Sequence, residues 1–154
     1  RLTDVTGVQT CALPISNHPS NLITLCPNCH RLAEIQVRVR SGIAGLAYLL
    51  KTLSPLFVMC SPKDIDVVTD SKNSIAGFEN SILVYDNILF GLGLSKEIFR
   101  IFPTLLQEML NHVNECGCHN GCPSCVGPIS DEGYGGKAET KRLLELLVKE
   151  INGS

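Results

Sequence analysis

ECGCHNGCPSC, residues Glu115 to Cys125, is the stretch of sequence that decides the fold. Its four cysteines have the spacing C-x-C-x3-C-x2-C. Thiolates this close in sequence cannot easily form two unstrained disulfides, but they can surround a metal at Zn–S distances of ~2.3 Å. Gly117, Gly121 and Pro123 supply the tight turns that such a knuckle needs. The ligands predicted for one zinc are Cys116, Cys118, Cys122 and Cys125.

An all-cysteine shell leaves no open position for water, so the predicted zinc is structural rather than catalytic. Zinc is the favoured metal, but cysteine ligation alone does not exclude an iron–sulfur cluster, and disulfides or free thiols are further alternatives. His119 lies inside the cluster, and we expect it to be exposed rather than a ligand.

Length and composition indicate one folded domain. The chain has 154 residues, 44% of them apolar and 18% charged, with a formal charge of −2. Such a chain can bury a core, and it has no bulk charge to attract DNA or acidic lipids. No apolar run reaches the ~18 residues that favour a membrane span. Eight cysteines without a secretory signal favour a cytoplasmic protein over a disulfide scaffold.

The first sixteen residues resemble translated sequencing adapter. The similarity is carried by VTGVQTCALPI, Val5 to Ile15. We therefore exclude residues 1–16 from fold reasoning and expect them to pack against nothing. On this interpretation the chain is a fragment, and any upstream domains have been lost.

Hydrophobic periodicity predicts an α+β fold: a small mixed sheet packed with about three helices, plus the knuckle between the last two helices. Within that one domain length, two segments are expected: a loop-rich CxxCH knuckle at 17–40, which is an incomplete metal site by itself, and a zinc-binding domain at 41–152. A helix should start at Ser41 and close at Pro55, and Pro103 should kink or divide the next helix. The predicted strands are 56–60, 65–68 and 81–85, and the later helices are 95–114 and 137–151.

Four segments together resemble the zinc-binding C-terminal domain of MrfA-like (mitomycin repair factor type) DEAD/DEAH-box DNA helicases. They are FVMCSPKDIDVV, LVYDNILFGLG, the knuckle, and GGKAETKRLLELL. The resemblance covers about residues 41–151 and implies that the four knuckle cysteines bind zinc. It further implies an accessory domain of an ATP-dependent helicase in DNA repair, with the motor domains of the parent chain and DNA as partners.

The helicase motor has no counterpart in this sequence. No G-x-x-x-x-G-K-[ST] motif occurs, and the nearest string, Gly135-Gly136-Lys137-Ala138, lacks the spaced glycine and the hydroxyl. A DEAD or DEAH sequence is also missing. We therefore expect no catalytic residues and no ATP turnover from this chain alone.

A second cysteine motif, CPNCH, lies at Cys26–His30. Cys26, Cys29 and His30 are candidate ligands for a second zinc, although one C-x-x-C supplies only half a site. NLITLCPNCHRLAE also resembles the zinc-knuckle part of HNH nucleases. A nuclease remnant and free buried thiols are therefore the alternatives.

Two weaker patterns indicate candidate phosphate-binding residues. Arg31, Arg38 and Arg40 could contact a phosphate backbone, and a solvated basic face is the competing interpretation. Gly91 and Gly93 could cradle a phosphate where the next helix starts, and a plain tight turn is the alternative.

Overall fold

The computed structural model describes residues 9–12, 22–70, 80–89, 91–127 and 136–153. Within these ranges lie two antiparallel pairs of strands and three helices. The strands are β1 (Gln9–Ala12), β2 (Leu22–Leu25), β3 (Ile65–Asp70) and β4 (Ser81–Asp86), and the helices are α1 (Pro27–Val58), α2 (Leu94–Glu115) and α3 (Lys137–Gly153). The α+β prediction is confirmed, and the pairing in both small sheets is antiparallel.

Helix α1 is far longer than the sequence predicted. It begins where a loop was expected, because Cys26 caps it by accepting a hydrogen bond from the Cys29 N–H at 3.4 Å. Pro27 occupies the first turn, where its missing N–H costs nothing. Ser41, the predicted cap, therefore lies inside the helix, and the loop-rich interpretation of residues 17–40 is wrong from Pro27 onward.

The end of α1 also differs from the prediction. Pro55 is buried inside the helix, which continues to Val58 and ends at Met59 in the left-handed conformation (φ 53°). The predicted strand 56–60 is therefore wrong, because its first three residues are helical. A helix survives an internal proline when packing offsets the lost hydrogen bond.

Strands β3 and β4 form a hairpin in which Ile65 pairs with Asp86 and Asp70 with Ser81. Both strands were predicted, each slightly too short. Helix α2 is confirmed at nearly its predicted bounds, and it runs through Pro103 as one helix rather than two. Helix α3 begins at Lys137 as predicted.

The core lies where the three helices meet the hairpin. Its most deeply buried side chains are Leu49, Leu50, Ile65, Ile98, Leu105, Leu106, Met109, Val113, Cys125, Val126 and Leu144. The apolar stripe of α2 supplies five of these residues. Because Cys125 and Val126 belong to the same cluster, the cysteine knuckle is part of the domain core rather than an appendage.

Strand β1 falls in the segment interpreted as adapter. Its residues pair with β2, Gln9 opposite Leu25 and Ala12 opposite Leu22. The expectation that residues 1–16 pack against nothing is therefore wrong for Gln9–Ala12. The adapter origin of the segment stays a prediction, because backbone pairing does not depend on how a segment arose.

Among the described helices, only α1 has the length and apolar composition that could span a bilayer. Half of its most apolar window is buried within the protein. Helix α1 packs against α3, β3 and α2, as the central helix of a folded domain does.

Candidate metal centre

The knuckle begins where α2 ends. The N–H of Cys116 donates to the His112 carbonyl and closes the last turn of the helix. A second turn follows, in which the N–H groups of Cys125 and Gly127 both donate to the Cys122 carbonyl at 3.0 Å. Gly121 (φ 127°) and Gly127 (φ 89°) have positive φ values that favour glycine. These two turns bring the four cysteines together, although the first and the last are nine positions apart in sequence.

The four cysteine sulfurs lie within 4.8 Å of one another. The Sγ–Sγ distances are 3.5 Å for Cys116–Cys118, 3.6 Å for Cys116–Cys122, 3.4 Å for Cys118–Cys125 and 3.5 Å for Cys122–Cys125. Four sulfurs around one zinc, each at ~2.3 Å, would be roughly 3.8 Å apart. These four separations are shorter than that value by about 0.2 to 0.4 Å, and all four sulfurs lie within 4.8 Å of one another, so the cysteines are close enough together to bind one zinc ion.

A disulfide does not fit this arrangement. A disulfide needs sulfurs at ~2.05 Å, well below the observed separations, and all four thiols are free. His119 is exposed, as expected for a residue that is not a ligand.

The local environment affects the four thiols unequally. Hydrogen bonds with the Cys118 backbone and with the thiols of Cys118 and Cys122 lower the pKa of Cys116 to about 7. Burial raises the pKa of Cys125 to about 12. A divalent metal ion provides the charge that keeps such a buried thiolate deprotonated. The donor set therefore suits a cation that binds sulfur, in a closed structural site.

Three side chains hold the knuckle from outside, one from each helix. The Tyr48 hydroxyl of α1 donates to the Pro123 carbonyl at 2.6 Å, and His112 Nε2 of α2 lies 2.6 Å from the Ser124 carbonyl. Lys137 Nζ of α3 donates to the carbonyls of Cys116 and Cys118, the latter at 2.8 Å. The loop is thus anchored to the whole helical body.

Sequence reasoning missed these three anchoring roles. His112 precedes Cys116 by one helical turn, which is the only local signal for its role. Tyr48 and Lys137 are distant from the knuckle in sequence, so their contacts could not be inferred from spacing. Gly127 shows how closely α1 approaches, because a Cβ there would lie 3.1 Å from the Tyr48 ring.

The second predicted metal group is not assembled among the described residues. Cys26 and Cys29 are exposed at the start of α1, where the Cys26 sulfur serves as the helix cap. The knuckle cysteines are the only group of three or more candidate ligands that the described part of the chain brings together. A second zinc at Cys26, Cys29 and His30 therefore stays a prediction.

The predicted nucleic-acid contacts lie on the first half of α1. Arg31, Arg38 and Arg40 are all exposed on this helix. Arg38 pairs with Glu34 at 2.7 Å, so part of its charge is neutralised on the helix itself. The three arginines are thus accessible, and contact with DNA stays a prediction.

The Gly-x-Gly turn acts as a helix cap. Asp86 Oδ2 accepts hydrogen bonds from the amides of Leu92 (2.9 Å) and Leu94 (3.0 Å), and Oδ1 accepts one from the Ser95 amide at 2.7 Å. Gly91 and Gly93 have φ values of 63° and 75°. Since the Asp86 carboxylate already occupies the amides where a phosphate would bind, the tight-turn interpretation is favoured.

Comparison with known proteins agrees with this geometry. The family model of the MrfA Zn-binding domain matches residues 46–126. The ATP-dependent helicase YprA of Bacillus subtilis is 34% identical over 105 residues, which are 68% of this chain and 13% of that helicase. A protein of Methanocaldococcus jannaschii is 26% identical over 76 residues, or 48% of this chain and 68% of that protein.

Solved structures of the helicase MrfA are also similar to this chain. The DUF1998 helicase MrfA bound to DNA and AMPPNP matches with a TM-score of 0.58 and 29% identity, over 68% of this chain and 14% of that one. MrfA bound to DNA matches with a TM-score of 0.54 and 27% identity, over 69% and 13%. This chain therefore corresponds to about an eighth of the helicases that it matches. On its sequence match and its cysteine cluster, the chain belongs to the MrfA zinc-binding domain family.

Proposed function

We propose that this chain is the zinc-stabilised accessory domain of an ATP-dependent DNA helicase that works in DNA repair in the cytoplasm. The observation that carries the proposal is the cluster of four sulfurs in a domain of the MrfA zinc-binding type. In this proposal Cys116, Cys118, Cys122 and Cys125 hold one structural zinc.

The zinc would serve the fold rather than a reaction. Four thiolates complete its tetrahedral shell and leave no position for a substrate or an activated water. The chain's own residues bring the last turn of α2, the loop and the first turn of α3 to one place. The domain would then present a rigid surface to the helicase motor and to DNA.

The partners are inferred from the relatives. YprA is an ATP-dependent helicase, and MrfA has been solved bound to DNA. This chain spans a small share of either, so the motor domains and DNA are its proposed partners. The exposed arginines 31, 38 and 40 are the proposed phosphate contacts.

Metal analysis of the purified full chain tests the zinc assignment. We expect one equivalent of zinc per chain, a second bound weakly or not at all, and a colourless protein. The double variant Cys122→Ser, Cys125→Ser should lose the zinc, because two ligands cannot close the site.

The matched control is the double variant Cys26→Ser, Cys29→Ser, which removes the other C-x-x-C pair and should keep its zinc. Unchanged zinc content in the Cys122, Cys125 variant would refute the assignment. Iron with a brown colour would show a cluster instead.

A further inference from the structure

Lys137 occupies an electrostatically unfavourable position. It is the first residue of α3, where the helix dipole is positive and a cation is disfavoured. The side chain is half-buried, and none of the four ion pairs found among the described residues includes it. A half-buried cation at a helix N-terminus is stabilised when a negative charge lies nearby.

The neighbours of Lys137 are the backbones of two metal ligands. Its Nζ donates to the carbonyls of Cys116 and Cys118, and its own N–H donates to the Asn120 carbonyl at 3.2 Å. Four thiolates around Zn²⁺ carry a net charge of −2, since four negative charges outweigh two positive ones. The ammonium group therefore lies beside the charge that the metal site would create.

We propose that Lys137 is the counter-ion of the metal centre and that it couples zinc binding to the docking of α3. This inference rests on the proposed zinc site. Lys137 acts here as a positioning residue: it touches the ligand backbones and not the metal. Groups of this kind, just outside the ligand set, typically change metal affinity by about 10- to 100-fold.

The coupling must act in both directions. If Lys137 strengthens zinc binding when α3 is docked, then zinc strengthens the docking of α3 by the same factor. Helix α3 has further anchors in buried Leu144 and Thr140. A chain without the Lys137 charge should therefore still fold while its zinc affinity and α3 docking become less dependent on each other.

The first test measures zinc affinity of the full chain by competition with a chromophoric chelator. We expect Lys137→Met to bind zinc about 10- to 100-fold more weakly and Lys137→Arg to recover most of the loss. Lys141→Met is the matched control: Lys141 lies one turn further along α3, pairs with Glu145 and should have no effect.

The second test measures amide hydrogen exchange in α3 with and without zinc. In the parent chain, zinc removal should reduce protection in the first turns of α3, and in Lys137→Met this reduction should be smaller. An equal reduction in the two chains would contradict the coupling. Lys137→Gln covers the case in which the methionine variant does not fold, because it keeps a donor and lacks the charge.

The outcomes separate this inference from the zinc proposal. A parent chain that binds no zinc refutes the zinc proposal itself. A parent chain that binds one zinc, with Lys137→Met or Lys137→Gln binding equally tightly, overturns only the role of Lys137. Equal losses in Lys137→Arg and Lys137→Met would also overturn it, because charge would then be irrelevant.

Discussion

Asp86 shows how one residue can organise a helix start. Gly93, the residue at the N-cap position of α2, has no side chain, and the capping group comes from the end of β4 instead. Hydrogen bonds from the Ser95 hydroxyl and amide, and from the amides of Leu94 and Leu92, lower the pKa of Asp86 to about 2. The carboxylate thus links the hairpin to the helix that carries the core stripe.

The capping role of Asp86 predicts a stability change. Asp86→Ala should lower the free energy of unfolding by about 0.5 to 2 kcal/mol, the usual range for a lost helix cap. Urea denaturation at neutral pH measures this change. Glu108→Gln, a substitution of an exposed carboxylate on the same helix, is the control and should alter stability by less than ~0.5 kcal/mol.

The same carboxylate predicts a pH dependence. Because the pKa of Asp86 is lower in the folded state than its ordinary value of 3.8, its contribution is complete above about pH 4. It is lost as the pH falls toward 2. The stability difference between the parent chain and Asp86→Ala should shrink over that interval, and a constant difference would contradict the capping role.

At the scale of elements, the contact between α1 and α3 depends on small residues. A Cβ at Gly45 would lie 2.0 Å from Thr140 Oγ1, and one at Gly42 would lie 3.1 Å from the Glu139 carbonyl oxygen. Thr140 is fully buried and donates to the Gly136 carbonyl, and Ser41 accepts from the Gly136 amide at 2.9 Å. The two helices thus approach closely where α3 begins, near the knuckle.

Gly45→Ala should destabilise the chain by about 1 to 3 kcal/mol, the cost of overpacking a core. Alanine favours a helix by about 1 kcal/mol over glycine, but the clash with a buried, branched side chain outweighs that gain. Denaturant midpoints measure the change. Gly153→Ala is the control, because nothing lies within 4 Å of its Cβ, and it should be neutral or slightly stabilising. A stabilised Gly45→Ala would show that α1 and α3 are further apart.

For the molecule as a whole, the knuckle connects all three helices. Its side-chain anchors are Tyr48, His112 and Lys137, and Cys125 is buried in the core. Any ligand that binds only the folded state stabilises it by mass action. Zinc at the knuckle should therefore stabilise the entire domain and not the loop alone.

Zinc removal tests this expectation. With free zinc 1,000-fold above its dissociation constant, the folded state gains about 4 kcal/mol. Chelation should then lower the melting temperature by roughly 10 °C in a chain of this size. Calorimetry with and without a chelator measures the shift. An unchanged melting temperature, with zinc shown to be gone, would mean that the metal does not stabilise the fold.

DNA binding by the isolated chain should be weak and salt-dependent. The net charge is −2, so binding would rely on few phosphate contacts, and the log–log salt slope should not be steeper than about −3. Replacing Arg31, Arg38 and Arg40 with alanine should abolish binding and leave the zinc content unchanged. Fluorescence anisotropy at several salt concentrations measures both points. Submicromolar binding that survives the triple replacement would place the DNA surface elsewhere.

The sequence by itself determined the elements whose signals are local. The cysteine spacing predicted the metal centre, the apolar stripe predicted α2, and β-branched runs predicted β3 and β4. Each signal lies within about twenty consecutive residues, so no distant partner is needed to recognise it. The family resemblance followed from the same segments.

Only the tertiary structure decided the extent of α1 and the anchoring of the knuckle. Helix α1 continues through Pro55 because that proline is buried against the rest of the domain, and this packing offsets the lost hydrogen bond. Lys137 and Tyr48 reach the knuckle because close helix packing brings distant positions together. These features depend on contacts between residues far apart in sequence, and such contacts form only when the chain has folded.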